Sequence, residues 1–79
     1  MPLVKIIGQY EFRFYSRGEA DELPHIHVRR GRFGAKFWLT PTVRLARAGR
    51  FRSHELSEIG RLVRENQQEF LDAWHEYFE

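Results

Sequence analysis

The chain has no cysteine. That excludes disulfide staples, cysteine–zinc sites and thiol catalysis, and it suits a reducing cytosol. Long apolar runs are also missing. A membrane-spanning helix needs about 20 apolar residues in succession, and no stretch of this sequence approaches that. Leu3-Val4-Lys5-Ile6-Ile7 is too short for the core of a signal peptide. A cytoplasmic location with no membrane partner is therefore expected. Internal repeats, low-complexity tracts and linkers are absent too, so the 79 residues are expected to form one domain, 1–79. No cofactor is expected.

Acids are scarce in the first two thirds. Residues 1–52 carry eleven Lys and Arg against Glu11, Glu19, Asp21 and Glu22, a balance of +7. Residues 53–79 carry Arg61 and Arg64 against seven acids, a balance of −5. Such asymmetry implies a basic face and an acidic back. It serves either complementarity within the fold or attraction of a polyanion.

Twelve aromatic side chains (Phe 7, Tyr 3, Trp 2) supply a core despite the small size. Their spacing sets the architecture. Leu3 to Ile7 reads as a strand, and Gly8-Gln9 as a hairpin turn. Residues 10–16 alternate, with Tyr10, Phe12 and Phe14 opposite Glu11, Arg13 and Tyr15. Residues 17–24 are polar, hold Gly18 and Pro24, and read as a loop. His25 to Arg30 alternates again, with Ile26 and Val28 opposite His25, His27 and Arg29. Gly31-Arg32-Phe33-Gly34 is expected as a turn using both glycines at positive φ. Ala35, Phe37 and Leu39 then alternate with Lys36 and Trp38. Pro41 confines residues 43–47 to an edge strand.

From Ser53 the period becomes helical. Leu56, Ile59, Val63, Phe70, Trp74 and Tyr77 fall within about 60° on a helical wheel. Ser53 is the expected N-cap. Asn66 and Gln67 interrupt the stripe, but no Gly or Pro falls there, so one helix over about 53–78 is favoured over two. Gly60, at the stripe's border, would allow close approach of a strand. The fold class is thus α+β: an antiparallel sheet of four or five strands within 3–47, with one long C-terminal helix packed on one face.

Alternation leaves Glu11, Arg13, Tyr15, His25, His27, Arg29, Lys36 and Trp38 on the sheet face away from the helix. This face is open to four functions. Arg13, Arg29 and Lys36 interleaved with Tyr15 and Trp38 form a platform on which cations hold phosphates of RNA or DNA and aromatics stack bases. An aromatic hot spot ringed by charge suits a protein partner as well. The imidazoles of His25 and His27, two residues apart, would serve a metal-independent endoribonuclease as acid and base. They would otherwise be two ligands of a metal, with Glu11 as the third. The bland alternative is a polar strand face without chemistry. Dimerisation through this face or an edge strand is a further possibility.

Pro24-His25-Ile26-His27-Val28, Ala35-Lys36-Phe37-Trp38-Leu39 and Ala73-Trp74-His75-Glu76-Tyr77-Phe78 together resemble the small bacterial proteins grouped as domain of unknown function 4160. The resemblance runs over about residues 4–78. It implies a bacterial origin and frequent encoding beside another small domain, an arrangement like a toxin–antitoxin module. It therefore implies a partner protein from an adjacent gene, and it implies no established activity or catalytic residue. Arg52 departs from the small capping residue expected before the helix.

Overall fold

The computed structural model describes residues 3–15 and 20–79. Five strands precede two helices: β1 (Leu3–Ile7), β2 (Tyr10–Arg13), β3 (His25–Arg30), β4 (Phe33–Trp38), β5 (Arg44–Arg47), α1 (Ser53–Glu65) and α2 (Gln67–Phe78). The strands form one antiparallel meander in the order β1-β2-β3-β4-β5. The α+β expectation holds, with five strands. Strand β2 stops at Arg13, short of the expected end at residue 16, and Ser16 itself lies outside the described residues. Among the described residues, no helix is long and apolar enough to cross a membrane.

Two glycines close the β1-β2 and β3-β4 hairpins. Gly8 and Gly31 take φ of 59° and 58°, and among the described residues no other residue type takes positive φ. A left-handed glycine followed by an ordinary residue (Gln9, Arg32) is the pattern of a type II′ turn, whose twist matches the strands. Gly34 does not share that task. It lies inside β4, without a left-handed φ. Its backbone is closely approached by Gly49, at φ 63°. A Cβ on Gly49 would collide with the Gly34 carbonyl.

The inner face follows the alternation. Tyr10, Phe12, Phe14, Ile26, Val28, Ala35, Phe37 and Leu39 are all buried, facing Ile59, Val63, Phe70 and Trp74 of the helices. Phe12 lies 5.2 Å from Phe70 between ring centres. Phe14 meets Trp74 edge-on at 5.4 Å. Burying each such ring is worth about 1.5–3 kcal/mol. Exposed ion pairs such as Lys5–Glu69 and Arg61–Glu65 count for little beside that.

The single long helix is corrected to two. Asn66 sits between them at φ −113°, ψ 15°. The hydrogen-bond ladder persists through it: its N–H donates to Leu62 O (3.1 Å), and Phe70 N–H donates to Asn66 O (2.9 Å). The Asn66 side chain adds its own bond to Leu62 O at 2.8 Å. A side-chain amide inserted into the ladder distorts a helix without any Gly or Pro. Next to it, Gln67 Nε2 donates to Leu39 O at 2.7 Å. The polar interruption of the stripe thus satisfies a carbonyl just past the end of β4.

Ser53 is the first helical residue, not the N-cap. Arg52 takes the cap position, and the Glu55 carboxylate accepts its backbone N–H at 2.9 Å. Glu55 also pairs with Arg30 of β3. The Arg30 guanidinium lies within 5.4–5.7 Å of the ring centres of Tyr10, Phe33 and Phe51. One cation thereby ties the start of α1 to the sheet. The Arg52 N–H foremost, and then Arg30, hold the Glu55 carboxyl below its ordinary pKa of 4.5.

Two predictions follow from this packing. Gly49→Ala should cost at least about 2 kcal/mol in urea unfolding, from left-handed strain plus the backbone collision. Gly60→Ala should instead gain up to about 1 kcal/mol of helix propensity. Its new Cβ would meet Phe37 Cε2 at 3.5 Å and Arg64 Nη1 at 3.4 Å, ordinary contact distances. The second prediction concerns acid. Since folding lowers the Glu55 pKa, its stabilisation is complete above the ordinary carboxylate range and is lost as pH falls through the lowered value. Glu55→Gln should therefore lower the urea midpoint near neutral pH and lessen the further drop between about pH 5 and about pH 3.

Candidate nucleic-acid interface

Residues paired directly across an antiparallel ladder share a face. The register therefore builds the outer face in rows. Arg13 pairs with His27, His27 with Lys36, and Lys36 with Arg47. Beside this row, His25 pairs with Trp38, and Trp38 with Arg44. On the other side, Glu11 pairs with Arg29.

Arg44 and Arg47 belong to this face although the sequence did not single them out. Three residues apart in a regular strand, they would point to opposite faces. The register shifts between Lys36 and Phe37, where Leu45 pairs with Phe37 and Arg47 with Lys36. Ala46 is the extra residue of a bulge, and it brings both arginines to one side.

The imidazoles are where the expectation of an open face fails. His25 is 0% exposed and His27 is 4% exposed. Tyr15 stacks on His27 with ring centres 4.0 Å apart and planes 15° apart. His25 meets His27 edge-on at 5.1 Å, Trp38 at 5.6 Å and Trp74 at 4.9 Å. Its Nδ1 lies 2.8 Å from the Leu23 carbonyl oxygen, so Nδ1 carries the proton and donates it. Rings from both faces of the sheet thus enclose His25 at the start of β3. Strand alternation could not show this, because Trp74 arrives from α2.

The remaining predicted residues divide by charge compensation. Arg13 donates to Glu11 from Nη2 (3.0 Å) and Nε (3.3 Å). Lys36 Nζ lies 2.6 Å from Glu22 and 4.5 Å from the Trp38 ring centre. Tyr15 and Trp38 are half-buried. Arg29 is exposed and donates to Gly31 O at 3.3 Å, and Arg44 donates to Thr40 O at 2.8 Å. Among the described residues, Arg29, Arg44 and Arg47 meet no carboxylate. Nor do any three His, Asp or Glu side chains among them converge as a metal site would require. The set of His25, His27 and Glu11 is therefore not assembled, and Glu11 turns to Arg13 instead.

This layout can hold anions over a half-buried indole. An acid–base pair must reach the reacting atoms, and here both imidazoles are buried.

Residues 10–75 match the family model of the domain of unknown function DUF4160. The chain belongs to this family. The match is narrower than the resemblance over residues 4–78, yet the DUF4160 region contains both rows and the enclosed histidine pair. The chain matches no curated protein and no solved structure.

Enclosure gives His25 a structural role that is measurable. His25→Ala should open a void between Trp38 and Trp74 and cost about 2–4 kcal/mol in chemical denaturation. His54→Ala, at an exposed site in the first turn of α1, should stay within about 0.5 kcal/mol.

Proposed function

We propose that this protein is a small bacterial, cytoplasmic partner-binding module of toxin–antitoxin type that contacts nucleic acid through the basic face of its sheet. One observation carries the nucleic-acid half. Arg13, Lys36 and Arg47 lie in a single row across β2 to β5, with Arg44 next to Trp38 in the adjoining row. At about 4.8 Å per strand, the row spans about 14 Å. That covers roughly four nucleotides at the rise of a duplex strand. Cations along such a row hold phosphates, while an indole beside them stacks on a base. The absence of cysteine fits a reducing compartment. The partner half rests on the family resemblance and its neighbouring gene.

The rival reading as a metal-independent ribonuclease assigns His25 and His27 to proton transfer. Their burial counts against it, since substrate must touch both.

Affinity for a short mixed-sequence RNA, measured at about 50 and about 200 mM salt, tests the proposal. Arg47→Ala should reduce the slope of log K against log salt by about 0.7 on a single strand. Trp38→Ala should cost about 1–3 kcal/mol with little change in slope. Arg61→Ala, on the exposed helix surface, should change neither. The RNA should be intact after long incubation. Absence of binding at the lower salt would remove nucleic acid from the proposal, and co-purification with the neighbouring gene's product tests the partner half separately.

A further inference from the structure

Among the described residues, strand β5 ends the sheet, so one of its edges has no strand neighbour. All four of its residues are exposed, and Leu45 alone keeps 47% of its surface in water. On the helix side, Leu45 borders a groove of about 290 Å³ lined by the apolar side chains of Phe37, Val43 and Leu56 and by Gly60. Arg64 lines it as well. On the outer side of the same strand stand Arg44 and Arg47. The strand thus offers an unpaired backbone edge, an apolar trough on one face and cations on the other.

We propose that the β5 edge receives an extended segment of a partner protein whose side chains alternate apolar and acidic. An added strand pairs its backbone with the free edge, and its side chains fall alternately on the two faces. On the helix side they meet the trough beside Leu45. On the outer side they meet Arg44 and Arg47, which face no carboxylate among the described residues. Charge selects the occupant. A second copy of β5 would set Arg44 and Arg47 against their own likeness, and like charges directly opposite are destabilising. An acidic strand inverts that term. The chain's own surplus of acid lies in residues 53–79, which are helical and cannot supply such a strand.

The probe is the synthetic peptide acetyl-Glu-Val-Glu-Leu-Glu-Val-Glu-amide, titrated into the full isotope-labelled chain at about 50 mM salt and followed by amide chemical shifts. Shifts should gather at residues 43–47, Leu56, Gly60 and Arg64. N-methylating alternate amides along one edge of the peptide should weaken binding about tenfold or more, since it removes several backbone hydrogen bonds. The same change along the other edge should be tolerated. Leu45→Asn, at a site already half in water, should weaken binding while leaving the spectrum of the free protein folded. No shifts at about 1 mM peptide would overturn the proposal. So would indifference to N-methylation on both edges, equal binding of the lysine analogue, or shifts confined to the outer rows. Arg44 and Arg47 serve both this proposal and RNA binding, and Leu45→Asn separates the two, because it changes the trough and leaves the outer arginines in place.

Discussion

A sheet with one apolar face is stable only if that face leaves water. In this small protein the constraint decides nearly everything else. Phe12, Phe14, Ile26, Val28 and Leu39 must be covered, and α1 and α2 cover them. The helices are held in place by rings and by two polar ties. Phe70 and Trp74 pack on Phe12 and Phe14. Glu55 joins Arg30 at one end, and Gln67 joins the Leu39 carbonyl near the middle. Both ties meet groups that burial would otherwise strip of water, so they fix where the helices sit while the rings supply the driving force.

With one face of the sheet committed to the core, its outer face and edges are what the sheet offers to solvent. The outer face is not uniform. At the end nearest Pro24, Tyr15, His27, His25 and Trp38 form a continuous set of ring contacts. A small domain gains stability from such a cluster because it has so little core elsewhere. The cost is that its histidines no longer face solvent. Towards β5 the same face is charged and open, and among the described residues Arg44 and Arg47 meet no carboxylate there. Ring packing and exposed arginines thus occupy different parts of one surface, with Trp38 at their border.

The edges carry a second division. Arginines along β5 discourage pairing between like copies, a common protection of edge strands. The same charges make the edge selective for a segment of opposite sign. Protection and recognition here come from one set of side chains.

Period-two alternation was readable because it is local. Each residue of β2, β3 and β4 announces its face through its neighbours, so the α+β class, the buried set and the outer set were all visible in the sequence. Gly8 and Gly31 marked their turns for the same reason. What the sequence did not show depends on partners far along the chain. Ala46 becomes a bulge only against Phe37 and Lys36, and only then do Arg44 and Arg47 join the outer rows. Gly49 needs glycine both for its own φ and because Gly34 lies beneath it, fifteen residues away by number. Asn66 distorts the helix because its amide finds the Leu62 carbonyl, a competition that composition does not reveal. His25 looks like a surface histidine by alternation, and Trp74 encloses it from the opposite end of the sequence. The sequence determined which side chains of β2, β3 and β4 share a face, because that is a property of backbone period. Tertiary structure decided which of them still meet water, because burial depends on what packs from elsewhere.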